Sequence, residues 1–146
     1  MKQTEYGWVY LFGASAPETG ESHACLLPRA DTEAMGLYLA DFGRNLAPDV
    51  HALVVMDGAG WHTSGGLAVP ENVTLVGLPP YAPELDPQEL VWREMRQKFL
   101  ANRVFDSVAE LDDAVCDAWR AVAADREAIR SLTLHPYIER ALRNTN

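Results

Sequence analysis

The sequence predicts an α/β domain, and three features of it do the predicting. Two strand-like runs joined by a turn open the chain. A stretch with helical apolar spacing follows. Two short, nearly continuous apolar runs then alternate with helical segments to the C-terminus.

Trp8 to Ala16 is apolar and aromatic-rich, Pro17-Glu18-Thr19-Gly20 is turn chemistry, and Glu21 to Leu27 reads as a second strand, so the three make a hairpin. Asp31 is placed to cap the next helix, because its carboxylate can accept from N–H groups of the first turn that lack a helical partner. Met35, Leu39, Phe42 and Leu46 recur at helical spacing until Pro48 stops the run. His51 to Met56 is almost continuously apolar, which predicts a strand covered on both faces. Gly58 and Gly60 let the backbone turn sharply beside Asp57. Val73 to Leu78 predicts another buried strand, ended by Pro79-Pro80. With Pro83 and Pro87, these prolines stiffen the loop that leads to Glu89.

Asp86-Pro87-Gln88-Glu89 predicts a helix start with Asp86 at N-cap, Pro87 at N1 and Glu89 at N3. Trp92, Met95 and Phe99 form its expected buried stripe, with Arg93, Arg96 and Lys98 on other faces. Ser107 to Glu110 is a second capping box, and Leu111, Val115, Ala118, Trp119 and Val122 are the inner face of the helix that it opens. Short helices from Arg126 to Leu132 and from Pro136 to Leu142 complete the reading. There is no internal repeat, low-complexity tract or interdomain linker, so residues 1–146 are expected to form one domain.

The chain has 146 residues, 48% hydrophobic and 23% charged, which describes an ordinary globular protein with a sizeable core. The longest apolar run is too short to span a bilayer, and the N-terminus lacks a signal-peptide pattern. Cys25 and Cys116 have no metal or redox spacing and read as reduced thiols in a cytoplasmic protein. The net charge of −9 argues against strong autonomous DNA binding, since neutralising phosphates and releasing counterions supplies most of that affinity.

Two stretches carry chemistry. In Val54-Val55-Met56-Asp57-Gly58-Ala59-Gly60-Trp61-His62, an aspartate follows a buried strand. In Leu78-Pro79-Pro80-Tyr81-Ala82-Pro83-Glu84-Leu85-Asp86-Pro87-Gln88-Glu89-Leu90-Val91-Trp92, a glutamate stands in the first turn of a helix. Brought together on one edge of a sheet, two such carboxylates can hold hard divalent cations for phosphoryl-transfer chemistry.

These two stretches resemble the motifs around the second and third acidic residues of the DDE transposases of the mariner superfamily, in its bacterial insertion-sequence branch. Asp57, Ala59, His62, Pro79, Pro80, Tyr81, Pro83, Leu85, Pro87, Glu89 and Trp92 match, while Ala82 and Asp86 replace the usual Ser and Asn. A weaker resemblance runs from about Trp8 to about Ile138. It implies a ribonuclease-H-like (retroviral-integrase-type) α/β fold, a mixed sheet flanked by helices, here expected without its first strand. It also implies metal-dependent cleavage of DNA at transposon ends followed by strand transfer, with two Mg²⁺ or Mn²⁺ ions about 4 Å apart. Asp57 and Glu89 would be metal ligands and catalytic residues, and His62 an accessory group. The family's first carboxylate and its helix-turn-helix region have no counterpart here, so the chain is expected to be the truncated C-terminal part of a transposase. The partners implied are DNA, held weakly by this chain alone, and a second copy or an upstream transposase segment. Little or no cleavage is expected from the chain by itself.

Other readings of these residues stand beside that one. Asp57 can serve only to bond loop N–H groups, and Glu89 can belong to a capping box by bonding the Asp86 N–H, which would leave it less free for a metal. His62 can be an ordinary loop residue. Trp61 and Tyr81 can stack on bases or simply pack, and Arg93 and Arg96 can meet phosphate or line a solvated face. Glu84 and Asp86 suit turn and cap roles first. At the level of function, the rival is a non-catalytic remnant or partner subunit that acts by protein association. An unrelated acidic nuclease would need Glu5, Asp31 or Asp41 as a third carboxylate, and none of these ends a predicted central strand.

Overall fold

The computed structural model describes residues 9–56, 66–77 and 86–144. Among them the order is β1 (Tyr10–Ser15), β2 (Ser22–Leu27), α1 (Thr32–Arg44), β3 (Ala52–Met56), β4 (Val73–Gly77), α2 (Gln88–Met95), α3 (Val108–Ala124), α4 (Arg126–Thr133) and α5 (Pro136–Arg143). The chain divides into two compact units, one made of Met1–Gly7, Gly13–His23 and Pro87–Asn146, the other of Trp8–Phe12 and Ala24–Asp86.

The α/β class expected from the sequence is what forms, but the strands make two separate pairs, β1 with β2 and β3 with β4. No continuous mixed sheet is assembled among the described residues. β1 and β2 are joined through a turn in which Gly20 N–H donates to the Ala16 carbonyl at 2.8 Å and Ala16 N–H to the Glu21 carbonyl at 2.8 Å. Gly20 sits at φ 77°, and a Cβ there would strike the Arg126 backbone, so this turn requires glycine. Arg130 Nε donates to the Glu18 carbonyl at 2.8 Å and ties the turn to α4.

In the second unit, Asp31 caps α1 as the sequence indicates, accepting from Ala34 N–H at 2.8 Å. The helix lays Ala34, Met35, Tyr38 and Leu39 against Phe12 and Val73, with Val54, Met56 and Leu75 packed around them. Tyr38 stacks between Phe12 and Phe42, at centroid separations of 5.7 and 6.1 Å. Gly43 lets the C-terminus of α1 meet the turn before β4, where Asn72 Nδ2 donates to the Gly43 carbonyl at 3.0 Å.

β3 and β4 run parallel, in register from Ala52 opposite Val73 to Met56 opposite Gly77. The expectation that His51 to Met56 is covered on both faces is corrected here. The inner residues Val54 and Met56 pack on the core with α1, but on the outer face Leu53 is 69% exposed, Val55 55% and Val76 42%. A strand pair has two faces, and α1 covers one of them. On the outer side, His51 Nε2 bonds Thr74 Oγ1 at 2.7 Å.

In the other unit, α2, α3 and α4 pack on one another around Val91, Met95, Ala114, Val115, Ala118, Val122 and Ile129. Ser107 caps α3, accepting from Glu110 N–H at 3.0 Å, while Glu110 Oε2 accepts from Asp106 N–H at 2.9 Å. This is the reciprocal logic of the expected capping box, with the return bond made one residue earlier. Asp125 caps α4 by accepting from Ala128 N–H at 3.0 Å. A π-helical turn, Arg96–Leu100, continues α2, and Asn102 ends the run at φ 63°.

Candidate active site

Glu89 lies in the first turn of α2, and the packing of that helix fixes where it stands. Val91 is fully buried and Met95 nearly so, which pins α2 from below. Trp92 meets Trp119 of α3 at 5.5 Å between centroids, tilted by 49°. Its indole edge also lies so close to Gly13 of β1 that a Cβ there would fall 2.9 Å from Trp92 Cζ2. The expected stripe of Trp92, Met95 and Phe99 therefore omits the most deeply buried residue of the helix, Val91. Phe99 is half-buried because the π-helical turn changes the spacing where it falls.

The start of α2 differs from the expected capping box. Pro87 holds the cap position with no side-chain cap bond, and Leu90 N–H bonds the Pro87 carbonyl at 3.0 Å, so the first turn is tightened. Glu89 does not reach back to the Asp86 N–H. Its carboxylate is exposed and makes no hydrogen bond or ion pair among the described residues. The capping role that would have tied it down is not taken up. What remains is a free pair of hard oxygen donors at the positive end of a helix.

The other half of the expected site, Asp57 and His62, lies outside the described residues, as do Trp61, Tyr81 and Glu84. The separation of Asp57 from Glu89 is therefore outside them too. The described strand ends do bear on the reading. Met56, the residue before Asp57 in sequence, pairs with Gly77, so the carboxyl ends of the parallel strands finish side by side. That edge is where sites form in open α/β sheets.

Three basic residues follow Glu89 along α2 and its π-helical extension. Lys98 is paired with Glu94 at 2.5 Å, and that hydrogen bond raises its pKa above the ordinary lysine value. Arg93 and Arg96 are exposed and have no ion pair among the described residues.

A second pairing joins β2 to α1. Cys25 of β2 donates from Sγ to Asp41 Oδ2 of α1 at 3.3 Å. Burial, reinforced by Asp41, pushes the thiol up to about 11. Burial likewise pushes the Tyr38 hydroxyl up, with Cys25 and Asp41 adding to the effect. While it keeps its proton the thiol is a poor nucleophile. The ligand atoms of His23, Cys25 and Asp41 all lie within 4.8 Å of one another. The only signal in the sequence was positional, an acid one residue before Phe42 of the α1 stripe and a cysteine alternating with Leu27.

Residues 2–112 match the family described as DDE superfamily endonuclease. A protein of Sinorhizobium fredii (strain NBRC 101917 / NGR234), known as the uncharacterized protein y4pE/y4sA, is 40% identical over 134 residues, covering 92% of this chain and 99% of that protein. No solved structure matches the chain.

Proposed function

The chain belongs to the DDE superfamily of endonucleases, and on that premise we propose that it is the catalytic part of a mariner-type bacterial insertion-sequence transposase with a ribonuclease-H-like fold. In this reading it acts on DNA in the cytoplasm. The observation that carries the proposal is Glu89, a motif glutamate held in place by a packed helix while its carboxylate stays exposed and uncommitted.

The donor set suits Mg²⁺ or Mn²⁺, both of which prefer carboxylate oxygen. Asp57 and Glu89 would hold the ion, with His62 as an accessory. When bound, the metal supplies charge stabilisation at the phosphodiester and lowers the pKa of an attacking water. The chain's own contribution is positional. α2 sets the direction of Glu89 through Val91, Trp92 and Met95, and β3 ends at Met56, the residue before Asp57 in sequence. Asp31 and Asp41 are spoken for, one as a helix cap and the other as the acceptor for Cys25. We read the family's first carboxylate as supplied by another segment, in cis or in trans; Glu5, the other acid that could replace it, lies outside the described residues.

The second reading, a non-catalytic partner that acts by protein association, draws support from the open outer face of β3 and β4. Parallel strands ordinarily have both faces covered, and Leu53, Val55 and Val76 remain exposed. No helix among the described residues is long and apolar enough to cross a membrane.

Nicking of supercoiled plasmid in Mg²⁺ or Mn²⁺ separates the two readings. The chain alone should nick little or not at all. A transposase segment carrying the first carboxylate, fused or in trans, should bring nicking on, and Asp57→Ala or Glu89→Gln should then abolish it. Absence of nicking in every combination would favour the partner reading. Nicking that survives both substitutions would refute the assignment of the site.

A further inference from the structure

We propose that His23 and Cys25 of β2 and Asp41 of α1 form a Zn²⁺-binding site, in which the ion ties the strand to the helix. Among the described residues, this is the one group of three or more potential ligand side chains whose donor atoms lie within 4.8 Å of one another. The proposal does not rest on the reading of Glu89.

The two elements each bring part of the set. Residues two apart on a strand stand on the same face, so His23 and Cys25 leave β2 on one side. Cys25 and Leu27 of that face pack against the core cluster that α1 supplies with Met35, Tyr38 and Leu39. Asp41 follows Tyr38 by one turn of α1, and its Oδ2 lies 3.3 Å from Cys25 Sγ. A tetrahedral zinc with bonds of about 2.3 Å to sulfur and about 2.1 Å to nitrogen and oxygen holds its ligand atoms about 3.4–3.6 Å apart. The thiol and carboxylate therefore already stand close to the separation that the ion needs. The widest spacing, at most 4.8 Å, has to close by little more than about 1 Å, which side-chain torsions can supply.

The donor types select the ion. Imidazole nitrogen, thiolate sulfur and carboxylate oxygen are the ligands of protein zinc sites, and a thiolate discriminates against Mg²⁺ and Ca²⁺. The thiol proton now lies between sulfur and carboxylate, and the cation would take its place. The S–H bond breaks as the Zn–S bond forms, and the proton passes to solvent. One thiolate and one carboxylate then balance the two charges of the ion. Arg44 donates to the other carboxylate oxygen, Asp41 Oδ1, at 3.2 Å, which turns Oδ2 towards the sulfur as outer partners do around metal ligands. All three side chains are half-buried, and three protein ligands leave a fourth position for water. Sequence spacing hides the set, because Asp41 is 16 residues from Cys25 and meets it only when α1 packs on β2.

The probe is Co²⁺, which occupies tetrahedral zinc sites and reports a sulfur ligand by a thiolate-to-cobalt charge-transfer band. The full chain, with its thiols kept reduced, should develop that band as it binds one Co²⁺. Zn²⁺ should bleach it by displacement, since zinc binds such donors more tightly than cobalt, and excess Mg²⁺ should not. Cys25→Ser should abolish the band. His23→Gln and Asp41→Asn should each weaken Co²⁺ binding by at least about tenfold, the least that loss of even an outer partner costs. Cys116→Ser and Glu89→Gln should leave it unchanged, and circular dichroism should show each variant folded. No band from the parent chain, or a band that survives Cys25→Ser, would overturn the site. A band that needs Cys25 but ignores both His23→Gln and Asp41→Asn would overturn it too, as adventitious binding to a thiol. Where a variant fails to fold, the parent decides. Zn²⁺ should slow iodoacetamide modification of Cys25 but not of Cys116, read by mass spectrometry of the peptides, and equal Cys25 rates with and without Zn²⁺ would refute the proposal.

Discussion

Replacing Val91 with alanine tests the claim that buried packing of α2, rather than its local sequence, holds Glu89 in place. Val91 is 0% exposed, and the unit around it also buries Met95 and Ile129. The substitution removes two methyl groups, worth about 1.6 kcal/mol of transfer free energy at about 0.8 kcal/mol each. The void left behind adds about 1 kcal/mol if the site fails to collapse, for a total of about 2–3 kcal/mol. For a chain of this size that lowers the melting temperature by roughly 6–9 °C. Val104→Ala is the control, since Val104 is 86% exposed and its truncation should shift stability by less than about 0.5 kcal/mol. The assay is urea and thermal denaturation followed by circular dichroism, with the Trp92–Trp119 pair as a local fluorescence probe of α2 against α3. Equal melting temperatures for Val91→Ala and the parent would refute the packing argument. So would a loss confined to the β3–β4 unit, with the tryptophan signal unchanged.

Glu89→Gln should cost no more than about 1 kcal/mol, the usual value of a charge at a helix N-terminus, because the carboxylate makes no bond among the described residues. A large loss on denaturation would mean that it is structural after all. Asp31→Ala removes the cap on Ala34 N–H and should lower stability by about 1 kcal/mol, with Asp31→Asn close to the parent, both read from urea midpoints. With Cys25 pushed from 9.0 up to about 11, its thiolate fraction near pH 8 should be about a hundredfold lower than that of an ordinary thiol, and it should be alkylated by iodoacetamide correspondingly slowly. The sign also bears on stability. A raised folded-state pKa leaves folding unaffected below about pH 9 and weakens it as pH rises towards 11, because the unfolded thiol ionises first, and Asp41→Asn should shift the onset of alkylation to lower pH.

Local order was written plainly in the chain because it rests on near neighbours. The caps at Asp31 and Ser107 form as their side chains dictate, and the hairpin, α1 and the helices from α3 onward fall within a residue or two of where spacing places them. What stayed hidden depends on partners distant in sequence. The run from His51 to Met56 has an apolar pattern that fits a strand covered twice, and nothing local shows that α1 covers only one side. Val91 could not be told from Trp92 as the anchor of α2, because both are apolar neighbours and the choice is made by α3 and α4. The Asp86–Glu89 capping box failed for a related reason. Pro87 already holds a helical backbone, at φ −70° and ψ −9°, so the turn begins without the extended cap geometry that the reciprocal bonds require.

That last difference changes how the site is understood. Asp-Pro-x-Glu at a helix start reads equally well as structure or as chemistry, since both want an acid near the first free N–H groups. The two demands compete for the same oxygen lone pairs, and a glutamate that satisfied the Asp86 N–H would be poorly placed to bind a cation. The fold removes the competition by tightening the turn through the Pro87 carbonyl, which takes Leu90 N–H at 3.0 Å. The helix thus begins without drawing on Glu89, and the carboxylate is left in solvent with the helix dipole behind it. A glutamate in that first turn gains from the helix dipole whether or not it binds a metal. Under the proposed reading, the feature that matters is that its oxygens are left free for a cation.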